Sequence, residues 1–372
     1  PEEALKIWGH DKILGDAVWV IRKFQPDIII TRFPTTGEGG HGHHTASAIL
    51  AGEAFEAAAD STKYPEQFKY GVRPWQAKRL LWNTFNFGGN NTQRPDQFKM
   101  DCGAFNPLLG KSYGEIAAEG RSQHKSQGFG VPAQRGEVFE YFSTIKGDKP
   151  FNSLMDGVNS TAERLYLTGY EVQADDLLKN FDPMRPENSV RALVELYGLV
   201  ENAKDSYWKT QKQAELTKLI EACSGLFLEA VSQKQMYAPG DSMKISFIVN
   251  NRLGINISGC QVNLGDEFYV IANPARNKNS SVSEAFLLPK ETSTTQPYWL
   301  TEKMSEGTFT VNDQEQIGLP EMIKGKAVFM LGIEGRLLKF EKPVVYKFTD
   351  PVKGELYQPV HIIPAVFINS SP

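Results

Sequence analysis

Hydrophobic and polar positions along the chain form three successive patterns. Residues 1–150 combine helical periodicity with short apolar runs and Gly-rich loops. The run Ile-Ile-Ile-Thr at residues 28–31 predicts a buried strand, and residues 78–85 predict a further strand of the same sheet. Between them, the alanine-rich residues 45–59 predict a helix. Strands and a helix in this order predict an α/β domain.

The second and third patterns predict a helical region and an all-β domain. In residues 151–222, apolar positions such as Val190 and Leu193 recur at helical spacing. From Leu226 onward, polar and apolar residues alternate, and turn sequences such as Ala-Pro-Gly-Asp separate the alternating runs. We therefore expect residues 223–372 to form a β-sandwich.

Composition limits the partners that can be expected. Hydrophobic residues make up 41% of the 372 residues and charged residues 23%, with a formal net charge of −4. This balance is typical of a globular protein and gives no reason to expect nucleic acid as a partner. No run of about 18 apolar residues is present, so no membrane span is expected. The cysteines Cys102, Cys223 and Cys260 are far apart in sequence, and we expect them to be unpaired.

A histidine-rich loop is the strongest chemical feature. The sequence Gly-Gly-His-Gly-His-His at residues 39–44 lies between the strand at residues 28–31 and the alanine-rich helix. Open α/β sheets bind ligands at the carboxyl ends of their strands, and neutral imidazole is a good zinc ligand. The residues alone leave two interpretations open, a ligand-binding loop and a purely structural one.

The strand, the Gly-rich turn, the spacing of His41 and His44 and the helix resemble the second motif of the PIG-L/LmbE-like zinc-dependent N-deacetylases, which the family usually writes His-Pro-Asp-His. The resemblance implies a Rossmann-like sheet, a zinc cofactor, and hydrolysis of N-acetyl groups on amino sugars or glycoconjugates. It implies that His44 ligates zinc and that His41 stabilises the oxyanion or protonates the leaving amine. His43 stands where the family has Asp, and we include it among the substrate-binding candidates.

A second polar segment follows at residues 115–130, where a helical pattern ends in a Gly-rich stretch. Arg121, His124 and Lys125 could bind a polyhydroxylated or anionic substrate by hydrogen bonds, and Arg121 and His124 share one helical face at i, i+3. The alternative is a solvated helix end followed by a flexible loop. The segment resembles a stretch of large multidomain PIG-L-like proteins, which favours the substrate-binding interpretation.

The first motif of the family, His-Pro-Asp-Asp-Glu, does not occur in these 372 residues. In the family it supplies two zinc ligands and the carboxylate general base. The chain also begins within a helical pattern and without an initiator methionine. We therefore expect an internal segment of a longer, periplasmic or secreted protein, with an incomplete zinc site in this segment. The alternative function is a non-catalytic glycan-binding or scaffold protein that retains part of the deacetylase fold.

Overall fold

The computed structural model describes residues 1–87, 89–128, 130–320 and 325–366. The chain divides into two compact units, one formed by Pro1–Asn159 with Glu302–Gly318 and one by Ser160–Thr301 with Leu319–Pro372. Each unit contains both helices and sheets, so the protein is of the mixed α/β class. No helix in the described part of the chain is long and apolar enough to cross a membrane.

The first unit contains the predicted strands and the alanine-rich helix. Its helices are α1 (Glu2–Trp8), α2 (His10–Phe24), α3 (Gly42–Ala57) and α4 (Tyr113–Arg121), with short 3-10 turns at Pro65–Tyr70 and Lys125–Gln127. Its strands are β1 (Ile28–Thr31), β2 (Arg79–Thr84), β3 (Asn86–Phe87), β4 (Asn90–Asn91), β5 (Phe98–Asp101), β6 (Phe105–Asn106), β7 (Lys111–Ser112) and β8 (Phe139–Gly147).

The main sheet of this unit has the strand order β1-β2-β8-β5. β1 and β2 are parallel, in a register that pairs Ile28 with Arg79 and Thr31 with Trp82. β8 runs antiparallel to β2, and β5 runs antiparallel to β8. The carboxyl ends of β1 and β2 therefore lie at one edge of the sheet.

Helix α3 packs between α2 and the sheet. Small side chains allow the two helices to approach closely in a buried cluster of Val18, Ala54, Ala57 and Ala58. On the sheet side, Phe55 packs with Ala77 and Leu80 in a second buried cluster. Burial of Ala and Phe side chains on two sides fixes the helix, and with it the histidines at its N-terminus.

Helix α4 starts at a capping box. The Ser112 hydroxyl accepts a hydrogen bond from the Glu115 backbone N–H at 3.2 Å, and the Glu115 carboxylate accepts one from the Ser112 N–H at 2.9 Å. The bond from the Ser112 backbone lowers the pKa of Glu115, because it stabilises the ionised carboxylate. These bonds satisfy two of the N–H groups that a helix start leaves without partners.

The second unit contains the predicted helical and β-rich regions. Its helices are α5 (Tyr170–Lys179), α6 (Val190–Glu201) and α7 (Tyr207–Ser224), and 3-10 turns lie at Ala162–Leu165, Pro186–Ser189 and Tyr298–Leu300; a further turn, Gln314–Gln316, belongs to the first unit. Its strands are β9 (Leu226–Ser232), β10 (Met236–Tyr237), β11 (Ser242–Asn251), β12 (Ile257–Leu264), β13 (Glu267–Val270), β14 (Asn279–Leu287), β15 (Lys326–Ile333), β16 (Arg336–Asp350), β17 (Gly354–Pro359) and β18 (His361–Ile362).

The long strand β16 connects two groups of strands. Its first half, residues 336–343, pairs with β15, and its second half pairs with β9 and β17. Aromatic side chains from both groups meet in the core, where the Phe247 ring of β11 lies 6.3 Å from the Phe329 ring of β15. Alternation along β11 explains this burial, because Ile245, Phe247 and Val249 all face inward.

Candidate functional site

The histidine loop joins the carboxyl end of β1 to the N-terminus of α3. Gly37 and Gly40 have φ values of 89° and 78°, in the left-handed region that favours glycine, so the loop can turn back toward the sheet. His41 is the N-cap residue of α3, with an extended backbone at φ −131° and ψ 139°. The loop therefore lies at the sheet edge where the parallel strands β1 and β2 both end.

His44 is held in one orientation by two neighbours. Its Nδ1 lies 3.0 Å from the Gly39 carbonyl oxygen, and because a carbonyl only accepts, Nδ1 carries the proton. Its ring stacks on Phe33 with centroids 3.8 Å apart and planes 3° from parallel. Nε2 is then the nitrogen with a lone pair. Metal-binding histidines commonly show this arrangement, with the second ring nitrogen bonded to a backbone carbonyl.

Of the other two histidines in the loop, His41 lies beside His44, whereas the ring of His43 contacts Trp8. The His41 and His44 rings are 5.1 Å apart and nearly perpendicular, at 87°. His41 is exposed to solvent. The ring of His43, also exposed, lies 5.4 Å from Trp8. The structure thus pairs the two histidines at the spacing i, i+3.

The three other predicted substrate-binding residues lie together at the end of α4. Arg121 is the last residue of α4, and His124 and Lys125 follow it at the start of a 3-10 turn. All three are exposed. They take no part in the ring contacts and the side-chain hydrogen bond described above for the histidine loop. They also do not line the cavity of about 300 Å³ beside α4. Their role in binding stays a prediction.

Sequence reasoning missed a polar cluster at the same sheet edge as the histidine loop. Arg32 directly follows β1, and its guanidinium Nη1 donates to the Asn83 side-chain oxygen and lies 3.7 Å from a Glu140 carboxylate oxygen. The Asn83 amide donates to Glu140 at 2.7 Å. In the sequence, the position of Arg32 directly after a predicted strand was the feature that pointed to this cluster. Glu140 gave none, because β8 pairs with β2 from a distant part of the chain.

The described residues do not complete a zinc site. Across residues 1–87, 89–128, 130–320 and 325–366, no three His, Cys, Asp or Glu side chains come together in a way that could hold a metal ion. A catalytic zinc ion usually has three protein ligands and a water. The loop provides one histidine oriented as a ligand, His44, and a second, His41, beside it.

Comparison with known proteins gives one related sequence and no matching family model. The chain is 32% identical over 107 residues to a mycothiol S-conjugate amidase of Streptomyces coelicolor. The match covers 29% of this chain and 35% of the amidase. The chain thus spans about a third of the length of this relative.

Two solved structures share limited similarity with the chain. The sporulation control protein Spo0M of Bacillus subtilis matches with a TM-score of 0.19 and 14% identity, over 32% of this chain and 48% of that protein. The alkylpurine DNA glycosylase AlkC of Pseudomonas fluorescens matches with a TM-score of 0.16 and 8% identity, over 42% and 46%. These scores are too low to support an argument about fold or function.

Proposed function

We propose that the chain carries part of the active site of a zinc-dependent hydrolase that removes N-acetyl groups from amino sugars or glycoconjugates. The observation that carries the proposal is the orientation of His44. Its Nδ1 proton is held by the Gly39 carbonyl, and its Nε2 is left as the nitrogen that can bind a metal. The amidase relative supports hydrolysis of an amide as the reaction class, since an N-acetyl group is joined through an amide.

Each histidine of the loop has a separate role in this proposal. His44 binds the metal, and His41, whose ring is 5.1 Å away, donates a hydrogen bond to the oxyanion or a proton to the leaving amine. A bound zinc ion would supply polarisation of the amide carbonyl and activation of water. His43, Arg121, His124 and Lys125 are proposed to contact the substrate. The remaining metal ligands and the general base would come from outside the described residues.

A second function is compatible with the same observation. The absence of a group of three metal-binding side chains within the described residues also fits a glycan-binding or scaffold protein that retained part of the fold. Zinc content separates the two functions. A catalytic protein holds stoichiometric zinc in its full-length form, whereas a glycan-binding protein of this kind holds none.

The test is an assay of the full-length gene product for zinc content and for release of acetate from N-acetylglucosamine derivatives. His44→Ala should lose both the metal and the activity. His41→Ala should retain the metal and react about 10²–10³-fold more slowly, the range found for loss of one oxyanion donor. His43→Ala serves as the control for zinc content. Equal zinc retention by the His41 and His44 variants would show that the two roles are wrongly assigned.

A separate expectation concerns the 372-residue chain by itself. With one or two imidazoles as ligands, it should bind zinc weakly and release no acetate, because a catalytic site needs three protein ligands. Metal analysis after dialysis measures this. Tightly held stoichiometric zinc together with turnover would contradict the proposal that the remaining metal ligands and the general base come from outside the described residues.

A further inference from the structure

Arg32, Asn83 and Glu140 form a connected cluster, called here the Arg32 cluster, at the edge of the sheet that carries the histidine loop. Asn83 is the centre of the cluster, because its side-chain oxygen accepts from Arg32 and its amide donates to Glu140 at 2.7 Å and to the Tyr141 carbonyl at 3.2 Å. The Asn83 amide group therefore uses both its oxygen and its nitrogen to hold the two charged residues in place.

The two charged residues keep hydrogen-bonding capacity that faces solvent. The Arg32 side chain is 47% exposed and that of Glu140 is 37% exposed. Within the described residues, the side-chain hydrogen bonds of Arg32 use Nη1 and those of the Glu140 side chain use Oε2. The other guanidinium N–H groups and the second carboxylate oxygen remain to bind a ligand. The cluster thus offers donors and an acceptor side by side.

Aromatic contacts connect the Arg32 cluster to the histidine loop. The Arg32 guanidinium lies 5.8 Å from the centre of the Phe85 ring. Phe85 meets Phe33 edge-on at 6.4 Å, and Phe33 stacks on His44 at 3.8 Å. Two aromatic rings therefore separate Arg32 from His44, and Phe33 packs against both Phe85 and the histidine.

We propose that the Arg32 cluster is a hydroxyl-binding subsite that positions a neutral sugar ring next to the histidine loop. The inference rests on the proposed function and names the part of its site that holds the sugar. A hydroxyl group both donates and accepts, so two neighbouring sugar hydroxyls match an arginine donor beside a carboxylate acceptor. An anionic ligand is disfavoured, because Glu140 offsets the charge of Arg32 and would face the anion at short range. Arg32 binds the sugar directly in this assignment.

The test measures binding of N-acetylglucosamine and of glucuronate to the 372-residue chain by ligand-observed NMR titration. Arg32→Met should weaken N-acetylglucosamine binding by about tenfold, the effect of losing a hydrogen bond to a charged group. Arg32→Lys keeps the charge and should also bind more weakly, because the planar fork is lost. The matched control is Lys146→Met. Lys146 lies on β8, the strand that carries Glu140, and its ion pair is with Glu56 of α3. Urea unfolding verifies that each variant is folded.

The outcomes separate this subsite from the proposed function. Sugar binding that depends on Arg32 and persists in His44→Ala supports the subsite, whatever the zinc content. Zinc binding that depends on His44, with unchanged sugar binding in both Arg32 variants, overturns the subsite alone. Absence of sugar binding by the wild-type chain, or tighter binding of glucuronate than of N-acetylglucosamine, also overturns it.

Discussion

At the scale of single residues, the orientation of His44 depends on the absence of a side chain at Gly39. A Cβ atom at this position would lie 2.7 Å from Cδ1 of Phe33 and 3.3 Å from Cβ of His44. The first distance is too short for two carbon atoms, so any larger residue would displace the Phe33 ring from its stack. Gly39 thus contributes both the carbonyl that fixes the tautomer of His44 and the space for the Phe33 ring that stacks on His44.

Substitution of Gly39 tests this dependence. We expect Gly39→Ala to lower the free energy of unfolding by about 1–3 kcal/mol, the usual cost of overpacking, and to weaken metal binding by His44. The control is Gly52→Ala inside α3, where the new Cβ would meet only Lys146 Cε at 3.9 Å. That change should stabilise the protein by about 0.5–1 kcal/mol, because alanine favours a helix interior. Urea titration monitored by tryptophan fluorescence measures both. A Gly39→Ala variant as stable as Gly52→Ala would show that Phe33 is not confined.

At the scale of elements, the end of α3 is fixed by the buried Arg22 of α2. Its exposed fraction is 0%. Its guanidinium donates hydrogen bonds to the carbonyls of Ala57, Ala58, Asp60, Lys63 and Tyr64 and to the side-chain oxygen of Gln67. One side chain thus satisfies carbonyls that the helix end leaves without partners. The histidines at the other end of α3 depend on this anchor for their position.

Loss of the Arg22 anchor has a predictable cost. Arg22→Met keeps the apolar packing but removes the donor to the Ala57 and Lys63 carbonyls and to the side-chain oxygen of Gln67. We expect it to lower the free energy of unfolding by about 3 kcal/mol. Arg73→Met is the control, since Arg73 is exposed and its change should alter stability by less than about 0.5 kcal/mol. Thermal unfolding measures both variants. Equal stability of the two would contradict the anchoring role.

Helices and strands were predictable from the sequence where the hydrophobic periodicity and the turn-forming residues agree. The strand at residues 28–31 is confirmed as β1, and the predicted helix at residues 45–59 corresponds to α3. Alternation also predicted β9 and β11, and in β9 the side chains of Leu226 and Leu228 are buried. The break between α1 and α2 was not predicted, because the apolar face continues through Gly9, which has a φ of 73°.

The candidate site was predictable only in part. The family resemblance singled out His41 and His44, and the structure places their rings 5.1 Å apart. The partner of His44, a backbone carbonyl, leaves no trace in the residue pattern. The Arg32 cluster depends on pairing between β2 and β8, and strand pairing is set by tertiary contacts that periodicity does not contain.

At the scale of the whole molecule, the helices and strands of the second unit share one hydrophobic core. The buried residues Leu193 of α6 and Leu216 and Ile220 of α7 belong to the same cluster as Phe247 and Phe329 of the strands. Helices and sheet therefore bury each other's apolar faces, and neither is expected to be stable alone.

Truncation tests this shared core. A fragment of residues 160–372 retains the helices and strands that share this core and should unfold in one cooperative transition. A fragment of residues 222–372 lacks α6 and nearly all of α7, so it should expose the apolar face of the strands and bind a hydrophobic dye. Circular dichroism during urea unfolding, with dye fluorescence, measures the difference. Equally sharp transitions without dye binding in both fragments would show that the strands have a sufficient core of their own.

The assignment of His44 as a metal ligand is tested most directly by long-range ¹H–¹⁵N NMR of the histidine rings in the 372-residue chain, recorded during a zinc titration. We expect His44 to show the Nδ1-protonated tautomer before zinc is added, because Nδ1 donates to the Gly39 carbonyl. Zinc should then shift the Nε2 resonance of His44, and His43→Ala should not change that response. An Nε2-protonated His44, or a zinc response confined to His43, would contradict the assignment.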